Sequence, residues 1–150
     1  MAKYLRDGKL IHSAEKNDCT VHALAETMQC SYLEAYNLCE LSGRQPNRGH
    51  YSDKLIALVN KLHPNTFQRI PGPIQNWYKI TLNQFCQQYP IGRFFVCIRG
   101  HALTVQNGEI VDTTTKWRYP KSIVLQAWAV QSTFQGNLQD ILNRTDYPKF

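Results

Sequence analysis

In the first half of the chain, apolar residues recur at helical spacing. In the second half they run in short blocks of β-prone residues. Val21, Leu24, Ala25 and Met28 fall at i, i+3, i+4 and i+7, one face of a helix opening after Asn17 or Asp18, either of which suits a cap. Ser31 with Glu34 three residues on is a reciprocal capping pair, and it predicts a second helix that stops at Gly43. Residues 44–51, rich in Arg, Asn, Pro and Gly, read as loop. Ser52 then suits the cap of a third helix carrying Leu55, Leu58, Val59 and Leu62 and ended by His63-Pro64.

Past Pro64 the pattern changes. Residues 65–79, which hold Pro71-Gly72-Pro73 and Trp77-Tyr78, read as an extended crossing segment. Thr81 with Gln84 is a further capping pair, predicting a short helix that ends at Tyr89-Pro90. Strands are predicted over 93–99 and 101–106, then a two-residue Asn107-Gly108 hairpin turn, then strands over 109–114 and 122–130. The tail suggests a short helix over 138–142. The elements predict an α+β fold, N-terminal helices packed on a C-terminal, mainly antiparallel sheet, in one domain covering 1–150.

Composition narrows the function classes. Hydrophobic residues are 43% and charged residues 19% of the 150, enough for a packed core and against wholesale disorder. No apolar run reaches the roughly 18 residues that a bilayer span needs, and residues 1–10 are basic without the apolar stretch of a secretory signal. The expectation is a cytoplasmic protein with no membrane partner. A net charge of +6 favours acidic partners, yet the basic residues are scattered. Lys116-Trp117-Arg118-Tyr119-Pro120-Lys121, basic and aromatic, is the nearest approach to a nucleic-acid-binding patch. Five cysteines without a Cys-x-x-Cys pair suggest neither a disulfide framework nor a metal site, and no cofactor is implied.

The hairpin carries a geometric argument. Asn107-Gly108 sets Gln106 opposite Glu109, Val105 opposite Ile110 and Leu103 opposite Asp112, so His101 and Asp112 become diagonal neighbours on one face, roughly 7 Å apart along the backbone. A carboxylate there can accept Nδ1–H of the imidazole, fix its tautomer and leave Nε2 free. Cys19, in the first turn of the first helix, has unpaired N–H groups and the positive dipole end beside it, which favour a thiolate. Cys30, Cys39, Cys86 and Cys97 read as structural thiols.

Asn17-Asp18-Cys19 opening a helix, Gly100-His101-Ala102 on a strand, and Asp112 after a turn together resemble the small papain-like cysteine peptidases. The nearest likeness is to the bacteriocin-leader-processing (double-glycine) peptidases and to compact papain-like proteins of bacteriophages. The resemblance spans about residues 15–130 by order and spacing. It implies a papain-like fold with Cys19 as nucleophile, His101 as general base and acid, and Asp112 as the orienting residue. Family members place a Gln six positions before the nucleophile, where this chain has Ser13, so Asn17 and His12 become the oxyanion candidates. The residue after the cysteine is often Gly, and here it is the β-branched Thr20, which narrows the approach beside the nucleophile.

The expected function is hydrolysis of an amide or related acyl bond in a protein or peptide, with Arg44, Trp77 and Trp117 as candidate substrate contacts. The alternative is a catalytically weak papain-like scaffold that binds or inhibits a host factor.

Overall fold

The computed structural model describes residues 3–4, 10–11, 17–70, 80–112 and 121–131. The element order is β1 (Lys3–Tyr4), β2 (Leu10–Ile11), α1 (Cys19–Met28), α2 (Tyr32–Leu41), α3 (Ser52–Leu62), β3 (Phe67–Arg69), α4 (Leu82–Gln88), β4 (Arg93–Ile98), β5 (His101–Gln106), β6 (Glu109–Val111) and β7 (Val124–Val130). The α+β class holds. β1 and β2, which the sequence pattern did not signal, form a separate antiparallel ribbon. The other five strands make one antiparallel sheet in the order β3-β7-β4-β5-β6.

The sheet is covered on both faces. Strand alternation sends Phe95, Ala102 and Trp128 to one side, where they join Val21, Leu24, Leu38 and Leu55 from α1, α2 and α3. Phe94, Val96, Leu103 and Val105 point the other way, onto Leu82 and Phe85 of α4. Phe85 meets Phe94 edge to face, with ring centroids 5.3 Å apart.

Local signals account for most boundaries. The Glu34 N–H donates to the Ser31 hydroxyl, and Thr81 and Gln84 complete a reciprocal capping box. Asn107 and Gly108 both have positive φ (50° and 77°), as a tight hairpin turn requires. A Cβ at Gly108 would lie 3.3 Å from the Cys86 carbonyl, so close packing against α4 also favours glycine there.

Several expectations are corrected. Within the expected extended crossing segment over 65–79, Phe67–Arg69 is a strand paired with β7. The second hairpin arm stops at Val111 rather than 114, and β7 starts at Val124 rather than 122. Asn17 does not cap α1: it takes a left-handed φ of 55° and its side-chain amide donates to the Asn47 carbonyl. Asp18 is the cap position but makes no side-chain capping bond. Ser52 is the first residue of α3, not its cap, and its hydroxyl instead accepts from the Cys97 thiol. The predicted tail helix at 138–142 lies outside the described residues.

Candidate active site

α1 and β5 bring the two halves of the site together. Inside the interface the Thr27 and Thr104 hydroxyls both donate to the Ala23 carbonyl, at 2.6 and 3.0 Å, and lie 2.8 Å from each other. Both threonines are fully buried, so this polar knot fixes how the helix sits along the strand. Cys19 is the first residue of the helix and His101 the first of the strand. Their meeting follows from that docking.

The hairpin register matches the sequence reading: Val105 opposes Ile110 and Gln106 opposes Glu109. The ladder ends at Thr104–Val111, one residue short of Asp112, and the imidazole still reaches the carboxylate: His101 Nε2 lies 2.6 Å from Asp112 Oδ2. The two side chains are 16% and 7% exposed. The choice of ring nitrogen is the reverse of the expectation, which placed Asp112 on Nδ1. Nδ1 is the nitrogen nearer the backbone, and α1 delivers the thiol close to the strand backbone, within hydrogen-bond reach of Ala102. The longer reach of Nε2 serves the diagonal carboxylate, so Nδ1 is the nitrogen left to meet Cys19.

Burial pushes the Cys19 thiol up, but hydrogen bonds from His101 and the Ala102 backbone, the charge of the imidazole, and the Thr20 hydroxyl outweigh it. The thiol therefore ionises below its ordinary value of 9.0. On His101 the hydrogen bond with Cys19 is the largest influence; burial opposes it, and the hydrogen bond and charge of Asp112 add to it, raising the ring from 6.5 to about 9. The two directions both favour the thiolate–imidazolium form of the pair. Burial drives the other four thiols the opposite way, Cys97 to about 11 and Cys30 to about 12, with Cys39 and Cys86 also raised.

Asp18, adjacent to the nucleophile, is engaged elsewhere: its carboxylate accepts from Tyr32 at 3.0 Å and pairs with His22 at 3.1 Å. Because that carboxylate makes no bond to the first-turn N–H groups, the helix mouth beside Cys19 has no side-chain cap. Thr20, expected to narrow the site, is 2% exposed, and its hydroxyl supports the thiolate.

Cys19 and His101 line a cleft of about 500 Å³, whose walls include Gly49, Asp53, Cys97 and Gln126. Two of the large apolar residues exposed on the described surface, Tyr51 and Leu125, rim it. Leu125 projects there because β4–β7 pairing slips between Cys97 and Ile98, from Gln126 to Val124. Sequence reasoning missed Gln126, Cys97 and the Ala102 N–H. The first two carry a legible signal: strand alternation puts both on the face of Ala102, at paired positions across β5, β4 and β7.

Among the other candidates, Arg44 is 4% exposed, with its guanidinium 5.6 Å above the Tyr36 ring and Nη2 donating to the Asn17 carbonyl at 3.4 Å. It ties the 44–50 loop to the entrance of α1 from inside. Asn17 is exposed at that same junction. His12, Ser13, Trp77, Trp117 and the 116–120 part of the basic aromatic patch lie outside the described residues. Among the described residues no three His, Cys, Asp or Glu side chains gather as metal ligands, and no helix is long and apolar enough to cross a membrane.

No family model, curated protein or solved structure matches the chain.

Proposed function

We propose that the protein is a papain-like cysteine hydrolase that cleaves an amide or related acyl bond in a peptide through a Cys19 thioester. The observation that carries this reading is the selective lowering of one thiol among five, at a helix mouth, by an imidazole that is itself held by a carboxylate. A buried structural cysteine shifts in the opposite direction, as the other four do.

The Cys19 thiolate attacks the carbonyl carbon, and the Cys19 backbone N–H at the uncapped mouth of α1 faces the developing oxyanion. The imidazolium of His101 donates its proton to the leaving amine, and the C–N bond breaks to leave a thioester. The neutral imidazole next takes a proton from water, whose oxygen attacks the thioester and restores the thiolate. Asp112 keeps the ring oriented and stabilises its charged form throughout. The open cleft, with Tyr51 and Leu125 at its rim, suits an extended peptide more than a small metabolite.

The test is trapping of the thioester. Peptide esters offered to the folded protein should leave an acyl adduct that intact-mass and peptide mapping place on Cys19, absent in Cys19→Ala and slow to form in His101→Ala. Acylation confined to Cys86 or Cys97 would overturn the reading. A biological effect unchanged by Cys19→Ala would move the function to binding.

A further inference from the structure

A second thiol stands in the same cleft. Cys97 lies directly opposite Ala102 on the neighbouring strand, a spacing of about 4.8 Å. The Ala102 backbone in turn hydrogen-bonds the Cys19 sulfur. Cys97 and Cys19 pack against the same core cluster and both line the cleft wall, where each is only partly buried. Cys39 is fully buried and does not line that wall. The Cys97 thiol donates to Ser52 Oγ at 3.1 Å, which holds its sulfur at the cleft side of α3.

We propose that Cys19 and Cys97 form a peroxide-sensitive thiol pair, in which oxidised Cys19 is captured by Cys97 as a reversible disulfide that closes the site. The pair rests on the reactive Cys19 of the proposed hydrolase, but not on hydrolysis itself. The co-reactant is hydrogen peroxide. The Cys19 thiolate attacks one peroxide oxygen, so an S–O bond forms, the O–O bond breaks, and the leaving hydroxide takes the His101 proton to depart as water. The sulfur has then lost two electrons and is a sulfenic acid. The Cys97 sulfur attacks it, an S–S bond forms, the S–O bond breaks, and the hydroxide departs as water with the Cys97 proton. Two thiols and one peroxide give one disulfide and two waters, and a dithiol reductant reverses the change.

Burial keeps Cys97 protonated at neutral pH, so it reacts slowly with peroxide on its own and acts as the resolving partner. Without a neighbouring thiol, an activated cysteine would continue to the irreversible sulfinic acid.

The experiment treats the full chain with hydrogen peroxide, blocks free thiols, and maps crosslinks by peptide mass without reduction. The expected result is a Cys19–Cys97 linked pair that a dithiol removes, with recovery of alkylation at Cys19. In Cys97→Ala, whose fold is checked by circular dichroism, dimedone trapping of Cys19 sulfenic acid should rise several-fold and dithiol recovery should be lost. Should that variant fail to fold, the crosslink map of the unmodified protein decides alone. Sulfinic acid at Cys19 without the link, a link from Cys19 to another cysteine, or a Cys19 that peroxide leaves untouched each overturns the proposal. A link formed by a protein that cleaves no peptide ester leaves this pair standing and removes only the hydrolase.

Discussion

His101 Nε2 and Asp112 Oδ2 meet at 2.6 Å although the strand ladder between their hairpin arms ends one residue earlier. The tight Asn107-Gly108 turn sets the register that makes them diagonal neighbours. With Nε2 committed to the carboxylate, the ring presents Nδ1 to the thiol. Asp112→Ala should therefore lower the His101 pKa from about 9 toward its ordinary 6.5. Hydrolysis, measured as kcat/KM, should fall on the order of 10²-fold, the range of a positioned acid–base group. Imidazole proton resonances followed through a pH titration check the first part.

The largest influence on His101 is its bond to Cys19, so Cys19→Ser should also lower the ring's titration, with Asp112 intact. The stability consequence has a definite sign. A raised His101 contributes stability fully present below pH 6.5 and lost as pH rises through about 9. The lowered thiol works oppositely: its contribution is present above pH 9.0 and lost as pH falls through its folded value. Where the folded pair is thiolate and imidazolium and the unfolded groups are thiol and neutral ring, the two offset, because folding moves the proton from sulfur to nitrogen without releasing it. Urea unfolding at several pH values should thus show the wild-type pair contributing little slope in that range. Above about pH 9 His101 is deprotonated in the folded and unfolded states alike, so its contribution to the slope should vanish there.

The fold's helices and hairpin were legible because their determinants are local. Ser31/Glu34, Thr81/Gln84 and Asn107-Gly108 act within a few residues and behave as written in the chain. Three features were not legible, each for a physical reason. β3 is three residues long and exists through pairing with Val130, Ala129 and Trp128, some sixty positions away. Asn17 and Ser52 have good capping chemistry, but tertiary partners, Asn47 and Cys97, claim their side chains. The ring nitrogen facing the thiol depends on how close α1 comes to the β5 backbone, which no spacing encodes. Cys19, His101 and Asp112 were within reach of the sequence because one sits at a helix start and the other two share a hairpin.

Helix docking should be sensitive to the buried threonines. Thr104→Val keeps shape but removes one of the two hydroxyl donors to the Ala23 carbonyl. The expected loss is about 1 kcal/mol of unfolding free energy by denaturant titration. Alkylation of Cys19 should slow as well, since α1 loses a contact that fixes it against β5. An unchanged alkylation rate with lowered stability would separate the knot from the site.

Arg44 is an internal tie between Asn17 and Tyr36. Its replacement by Ala should cost about 2 kcal/mol in the same titration, through a lost charged hydrogen bond and cation–π contact. Arg44→Lys should recover little, because an ammonium cannot stack flat on the ring while reaching the carbonyl.

The central claim, a thiolate–imidazolium pair at Cys19 and His101, is tested most directly by the rate of Cys19 alkylation as a function of pH. Reactivity should set in below pH 9.0, with a further change near pH 9 as the imidazolium of His101 loses its proton, and with loss of the early step in His101→Ala. A single titration at or above pH 9.0, the same in wild type and His101→Ala, would contradict it.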